Sequence, residues 1–343
     1  MRVLLIGGSG FIGSPLATEL RSHGHEIAVF HRGTGATASR PGERHLLGDR
    51  NRLSLHRDGL REFAPEAIVD LILASGEQAR ELTEVARALT SRLVVLSSAD
   101  VYRAWGIVQG IEPGRLEPLP IAEDAALRSF PNVYSDKQLE TMRAVFSWLP
   151  ESYDKIAVER EVMNSGVPAT VLRLPMVYGP GDPLHRCFPV VKRIADARPA
   201  MILSDDLAAW RLPRGYVQNV AHAIGLAVTS ERAAGRIYNV CEEPCLTELE
   251  WQTRIANEAG WQGRFVVLRA EETPGHLLPP GNTRQHLVLS SERIRSELGY
   301  RELVPAGEAL RRTIDWERRN PPDSMDEKQF DYALEDQSLR HAR

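Results

Sequence analysis

The run Arg2-Val3-Leu4-Leu5-Ile6-Gly7-Gly8-Ser9-Gly10-Phe11-Ile12-Gly13 decides the fold. Four consecutive large apolar residues read as a strand buried on both faces, and a glycine-rich turn follows with no spacer. Missing side chains at Gly7, Gly10 and Gly13 permit a tight turn, backbone approach to a pyrophosphate, and close packing of helix on strand. The next segment carries Phe11, Ile12, Leu16 and Leu20 as a rough helical stripe and closes at Gly24. Its N-terminus offers free N–H groups to an anion. The same glycines would serve packing alone in a protein that bound no nucleotide.

Further short apolar runs follow at Ile27–Phe30, Ala67–Leu71, Leu93–Leu96 and Thr170–Leu174, with a helical pattern over Glu77–Thr90. Strands alternating with helices predict a Rossmann-type α/β fold, a doubly wound parallel sheet covered on both faces. Pro113, Pro118, Pro120 and Pro131 interrupt the stretch 103–150, which reads as an irregular insertion without elements longer than a turn or two. Strand-like Gly235–Val240 and helix-like Leu246–Ala259 and Ser291–Leu298 suggest a smaller C-terminal α/β substrate-binding domain. The expected division is 1–175 for the nucleotide-binding domain, with 213–242 returning to it, and 176–212 plus 243–320 for the substrate-binding domain. Residues 321–343 read as a polar tail or surface helix.

The 343 residues are 43% apolar and 26% charged, which fits a globular chain and excludes a disordered or fibrous one. Acidic residues number 46 against 42 basic ones, so no global positive field favours nucleic acid or an anionic membrane. No apolar run approaches the ~20 residues needed to span a bilayer. Four apolar residues before the first glycine are too few for a signal peptide. Three cysteines argue for a reducing compartment, and the cytoplasm is the expected location. Cys241 and Cys245 lack the companion pair that a zinc site requires, so no metal is expected.

The second strand normally ends at a carboxylate that binds the ribose diol of NAD. Here that position holds His31, followed by Arg32. A guanidinium has no acceptor for a ribose hydroxyl but holds a 2′-phosphate by charge-assisted bonds, so NADP is the expected cofactor in preference to NAD. The alternative makes Arg32 a solvated loop residue and His31 the cap of the strand. Asp49, in Gly48-Asp49-Arg50, either accepts from the adenine amino group or caps a helix beginning near Asn51.

With Ser97-Ser98-Ala99-Asp100-Val101-Tyr102, Leu174-Pro175-Met176-Val177-Tyr178-Gly179-Pro180 and Gly235-Arg236-Ile237-Tyr238-Asn239-Val240 added, the chain resembles the extended short-chain dehydrogenases/reductases, which include nucleotide-sugar epimerases and dehydratases. The pieces Phe30-His31-Arg32-Gly33 and Gly48-Asp49-Arg50 resemble the atypical branch that contains chloroplast stem-loop RNA-binding proteins. The resemblance implies hydride transfer between a nicotinamide and a carbonyl/alcohol substrate, by a reductase or an epimerase/dehydratase. It also implies that Phe11, Ile12, Ser97 and Pro175 lie at the cofactor. A homodimer is compatible with it. Nucleic-acid binding is not expected from the charge, and the partner is a small-molecule substrate.

The family's Ser, Tyr and Lys map to Ser98, Tyr153 and Lys155, with Lys155-Ile156-Ala157-Val158-Glu159 keeping the family's Lys-to-Glu spacing. The tyrosine departs from the pattern. Glu151 stands four residues before Lys155, and Tyr153 only two, which on a continuous helix turns the two side chains about 200° apart. Pro150 and Ser152 suggest a helix start, with Ser152 as N-cap and Tyr153 in the first turn. Tyr102, Glu151 and His185 are the alternative proton carriers. Tyr134, three residues before Lys137, is a weaker one. Tyr102, Tyr178, His185, Arg186 and Arg211 are candidate substrate contacts, with Arg214 and Tyr216 nearby. The competing reading is a redox-inactive family member that binds a nucleotide cofactor or RNA.

Overall fold

The computed structural model describes residues 1–33, 42–131 and 133–341. Seven strands form one parallel sheet: β1 (Arg2–Ile6), β2 (Glu26–His31), β3 (Glu43–Leu47), β4 (Ala67–Asp70), β5 (Leu93–Ser98), β6 (Ala169–Leu174) and, after three strands outside it, β10 (Arg236–Asn239). Their order is β10-β6-β5-β4-β1-β2-β3. The chain therefore winds outward from β1 in both directions, and the switch point lies between β1 and β4, where an open α/β sheet binds its ligand. All these pairings are parallel, with Val3 opposite Ile27 on one side and Ala67 on the other.

Alternation along β1 sends Val3 and Leu5 into one apolar cluster and Leu4 and Ile6 into the other. Helices α1 (Gly13–Ser22) and α9 (Val217–Thr229) contribute to the first; α2 (Arg57–Phe63), α3 (Gly76–Arg87) and α6 (Lys155–Met163) to the second. The expected strands appear within one or two residues. The insertion does not match its reading. It contains α4 (Arg103–Val108) and α5 (Asp136–Val145), and α5 runs for ten residues because Ser135 and Gln138 close a reciprocal capping box just beyond the last proline.

Beyond β6, the strand β7 (Met176–Tyr178) pairs with β9 (Arg214–Tyr216), and β8 (Ala200–Ser204) with β11 (Arg264–Leu268), both in parallel. Around them lie α7 (Phe188–Ala195), α8 (Asp205–Ala209), α10 (Glu248–Glu258), α11 (Glu292–Leu298) and α12 (Ala306–Arg319). The last helix, α13 (Tyr332–His341), docks through Glu335, which is fully buried and accepts from Arg193 at 2.7 Å. Among the described residues, no helix is long and apolar enough to cross a membrane.

Candidate active site

At the head of α1 the glycines have distinct jobs. Gly7 has φ +80°, and a Cβ there would sit 2.7 Å from Cγ2 of Ile72. A Cβ on Gly13 would meet Cα of Gly8 at 2.6 Å, so helix and turn approach as closely as backbone allows. No side chain caps α1, and its first turn carries no acidic residue, which leaves the positive end of the helix open to an anion. A dinucleotide's pyrophosphate fits this cradle. Phe11 and Ile12 pack against the core beside it.

One cavity opens from the cradle across the ends of β1, β2 and β3. It is lined by Gly7, Gly10, His31, Arg32, Asp49 and Arg50, with Ser147 and Trp148 on its other side. Five of the sequence candidates thus meet in one place. Asp49 caps the 3-10 turn Arg50–His56 by accepting from the N–H of Asn51 at 2.9 Å, and it still lines the cavity. Among the described residues no carboxylate pairs with Arg32; its Nη2 donates to Oγ of Ser147 at 3.1 Å. His31 is held by two contacts. Its Nδ1 accepts from the N–H of Gly33 at 3.1 Å, and its Nε2 lies 3.0 Å from Nδ1 of His45. Burial and the neighbouring His45 lower its pKa.

The continuation of β4, Leu71–Ala74, leads from this cavity to Lys155. Lys155 is 6% exposed, and its Nζ donates to the carbonyls of Leu73 and Leu96, the latter at 3.0 Å. Burial brings its pKa down to about 8, although Asp100, Asp70 and Glu159 oppose that shift. Ser98 ends β5 and accepts from the N–H of Asp100 at 3.2 Å, so its own proton points elsewhere.

Several sequence assignments need correction. The helix bearing Lys155 starts later than expected, because Asp154 rather than Ser152 is its N-cap, accepting from Ile156 and Ala157. Tyr153 therefore precedes the helix, and its hydroxyl turns inward to donate to Oδ2 of Asp100 at 2.6 Å. Tyr134 donates to the same oxygen at 3.1 Å. Burial, reinforced by the Asp100 carboxylate, holds Tyr153 well above its usual range, opposite to what a phenolate base requires. Glu151, four residues before Lys155, has a side chain 89% exposed and paired with Arg143 at the surface.

Tyr102 is fully buried, donates to Asn239 at 2.6 Å and accepts from Arg173; burial pushes it up to about 12. It is packed as a core residue, with its hydroxyl engaged on both sides by residues of the fold. The hydroxyl of Ser97 donates to Glu159, which also holds Arg173 at 2.7 Å. His185 stacks on Trp316 and bonds Glu317 through Nδ1 at 2.7 Å, a packing role between α7 and α12.

Tyr178 and Arg186 line a separate cavity with Arg214 and Trp251, and Arg211 lines a groove with Arg295 and Arg301. Arg186 is tied to Asp182 at 2.6 Å and Tyr178 to Glu242 at 3.3 Å. Pro175 sits where β6 ends, with Gly215 packed against its ring. Among the described residues no cluster of metal-ligating side chains occurs. Sequence reasoning missed Asp100, although it lies two residues from Ser98, and it missed Ser147 and Trp148, which carry no local motif.

The sequence pattern of the NAD dependent epimerase/dehydratase family matches residues 3–119 and 150–241, the stretches that build the cradle, Ser98 and Lys155. The chain belongs to that family. It is thus an NAD(P)-dependent enzyme of the epimerase/dehydratase type. Over 265 residues it is 25% identical to the chloroplast stem-loop binding protein of 41 kDa b of Arabidopsis thaliana, covering 72% of this chain and 60% of that protein's length. It is 24% identical to the UDP-glucose 4-epimerase of Corynebacterium glutamicum over 333 residues, 88% of this chain and 90% of the other. The backbone resembles that of dTDP-glucose 4,6-dehydratase from Bacillus anthracis, solved in complex with NAD, with a TM-score of 0.66, 17% identity, and 93% and 97% of the two chains covered. The likeness extends over the Rossmann-type sheet and the smaller C-terminal part alike.

Proposed function

We propose that this family member is an NADP(H)-dependent oxidoreductase acting on the carbonyl/alcohol pair of a small molecule of the nucleotide-sugar type. The observation that carries the choice of cofactor is Arg32, a guanidinium with no carboxylate partner among the described residues, on the rim of the cavity that begins at Gly7. Bound there, the nicotinamide would accept or supply a hydride. The site-residue assignments are part of the proposal. Gly7, Gly10 and Gly13 seat the pyrophosphate, Asp49 faces the adenine, Lys155 holds the nicotinamide ribose, and Pro175 borders the ring.

Ser98 orients the substrate oxygen with its free hydroxyl proton. Tyr153 acts without forming a free phenolate: its oxygen takes the substrate hydroxyl proton while its own proton passes to Oδ2 of Asp100. In the reverse direction the carboxyl group returns the proton through the same oxygen. This relay suits a tyrosine whose pKa is raised, because the proton ends on the carboxylate, which it neutralises, and the phenol is neutral before and after the transfer. Arg214, Tyr178 and Arg186 line the cavity offered to the rest of the substrate.

The test is to purify the protein without added nucleotide, identify what it retains, and titrate the apo form with NADPH and NADH. Preference for NADPH by about ten- to hundredfold is expected from charge-assisted bonds worth roughly 1.5–3 kcal/mol. Equal binding of both removes the NADP assignment. Slow exchange of the retained nucleotide marks an epimerase or dehydratase that regenerates its cofactor, and fast exchange a reductase. The second reading, a family member that binds nucleotide without redox turnover, is favoured by one observation, the raised pKa of Tyr153. Full activity loss in neither Tyr153→Phe nor Asp100→Asn, once a substrate is in hand, would remove the relay.

A further inference from the structure

We infer that Ser147 and Trp148 form a clasp over the adenosine end of the bound nucleotide, Trp148 as a wall for the adenine and Ser147 as a hydrogen-bond donor to its 2′-phosphate. This rests on the NADP(H) reading above and extends it to residues outside the sheet. The cavity that begins at Gly7 and Gly10 is not closed by β1–β3 alone; Ser147 and Trp148, about 115 residues downstream of Arg32, complete it. They lie between the two stretches that match the family pattern, 3–119 and 150–241, so the clasp is a feature of this chain and not of that pattern.

The hydroxyl arithmetic favours an anion. Oγ of Ser147 accepts from Nη2 of Arg32 at 3.1 Å, which leaves the serine proton free to donate. Arg32 spends one of its five N–H donors on that contact and meets no carboxylate among the described residues. A donor hydroxyl beside an unspent guanidinium, on the rim of a nucleotide cradle, is a site for a phosphate monoester. Of the other charged and titratable groups in the cavity, His31 is tied to His45 and Gly33, Arg50 adds a second guanidinium that pairs with Asp70, and Asp49 is the one carboxylate, its Oδ1 engaged with the N–H of Asn51.

Trp148 is held in place from behind. Its ring lies 5.7 Å from that of Phe146, and the segment packs with Leu149 and Tyr153 onto Ala74, just past the end of β4. An indole fixed from one side presents its other face to a base, and base–aromatic stacking tolerates any base.

The test uses the full chain and dissociation constants for NADPH and NADH. Trp148→Ala should weaken both nucleotides alike, by about tenfold, and Trp148→Phe, which keeps an aromatic face, should restore most of the loss. Ser147→Ala should weaken NADPH by about five- to tenfold and leave NADH unchanged. Energy transfer from tryptophan to bound NADPH should fall sharply in Trp148→Phe, a readout that depends on proximity and not on stability. Unchanged constants in Trp148→Ala and Ser147→Ala overturn the inference. Tighter binding of both nucleotides by Trp148→Ala also overturns it, since the indole would then be a plug to be displaced. Failure of the NADP reading shows separately, as equal binding of the two nucleotides by the unmodified protein.

Discussion

Tyr153 donates to Oδ2 of Asp100 at 2.6 Å, while Oδ1 of the same carboxylate is buried without a hydrogen-bond partner among the described residues. Asp100 is 4% exposed, and two tyrosine hydroxyls converge on one of its oxygens. A carboxylate so enclosed is costly unless its partners stay in place. The arrangement moves the tyrosine two residues nearer to Lys155 than the family spacing without losing a hydroxyl from the end of β5.

If this pair carries the proton, Tyr153→Phe and Asp100→Asn should each lower kcat by about 10²–10⁴-fold, the usual contribution of a positioned acid/base. NADPH affinity should change by less than about twofold in both. Tyr134→Phe, which removes the longer of the two bonds, should cost far less. Steady-state kinetics with the eventual substrate and nucleotide titrations check all three; equal losses for Tyr134→Phe and Tyr153→Phe would contradict the relay.

Arg32→Ala should weaken NADPH by about ten- to a hundredfold, since a charge-assisted bond contributes about 1.5–3 kcal/mol. NADH should bind as before. Isothermal titration of both nucleotides separates a phosphate contact from general damage to the cavity.

Lys155 sets an alkaline limit. Its pKa of about 8 means that the ammonium is cationic below that pH and neutral above it, so nucleotide affinity should fall through a midpoint near 8. Stability moves the other way. An unfolded lysine titrates near its ordinary 10.5, so between about 8 and 10.5 the unfolded chain holds the extra proton and this group's share of stability rises with pH. Loss of binding above pH 8 with undiminished urea resistance would separate Lys155 from alkaline unfolding, and Lys155→Met should erase the binding midpoint.

Arg50 and Asp70 form a buried pair at 2.8 Å, with side-chain exposures of 6% and 0%. Arg50 also donates to the carbonyl of Gln78, tying the turn that carries Asp49 to the start of α3. Arg50→Met leaves Asp70 uncompensated and should cost roughly 3–5 kcal/mol. The double change Arg50→Met with Asp70→Asn should recover part of that loss in denaturant titrations; no recovery would mean that the pair matters through packing and not charge.

The sheet and the cradle were legible because their signals are local. Val3–Ile6 is too apolar for a surface, and Gly7, Gly10 and Gly13 leave few alternatives to a nucleotide turn. Ser98 and Lys155 were singled out through the family resemblance, and the structure places them at the end of β5 and the start of α6. The partners of Tyr102, Ser97 and His185 were not legible for one physical reason: each is polar and lies near motif residues, but its partner (Asn239, Glu159 or Glu317) comes from a distant part of the chain. Spacing reports neighbours along the chain, and a buried hydroxyl chooses its partner across it. The start of α6 failed for a smaller reason. Ser152 and Asp154 are both good caps, and only the folded backbone decides between them.

The place of β10 at the sheet edge governs how this chain must be made. β10 pairs with β6, Arg236 opposite Thr170 and Asn239 opposite Arg173. Asn239 accepts from the hydroxyl of Tyr102, donates through its side-chain amide to the carbonyl of Ile121, and donates through its backbone N–H to Oε1 of Glu123. During synthesis Tyr102, Ile121 and Glu123 lack these partners until residue 239 has left the ribosome. A nascent chain ending at β6 would hold an open strand edge and an unquenched polar seam, the kind of intermediate that chaperones retain. The nucleotide cradle is therefore translated well before the strand that completes the other edge of its sheet.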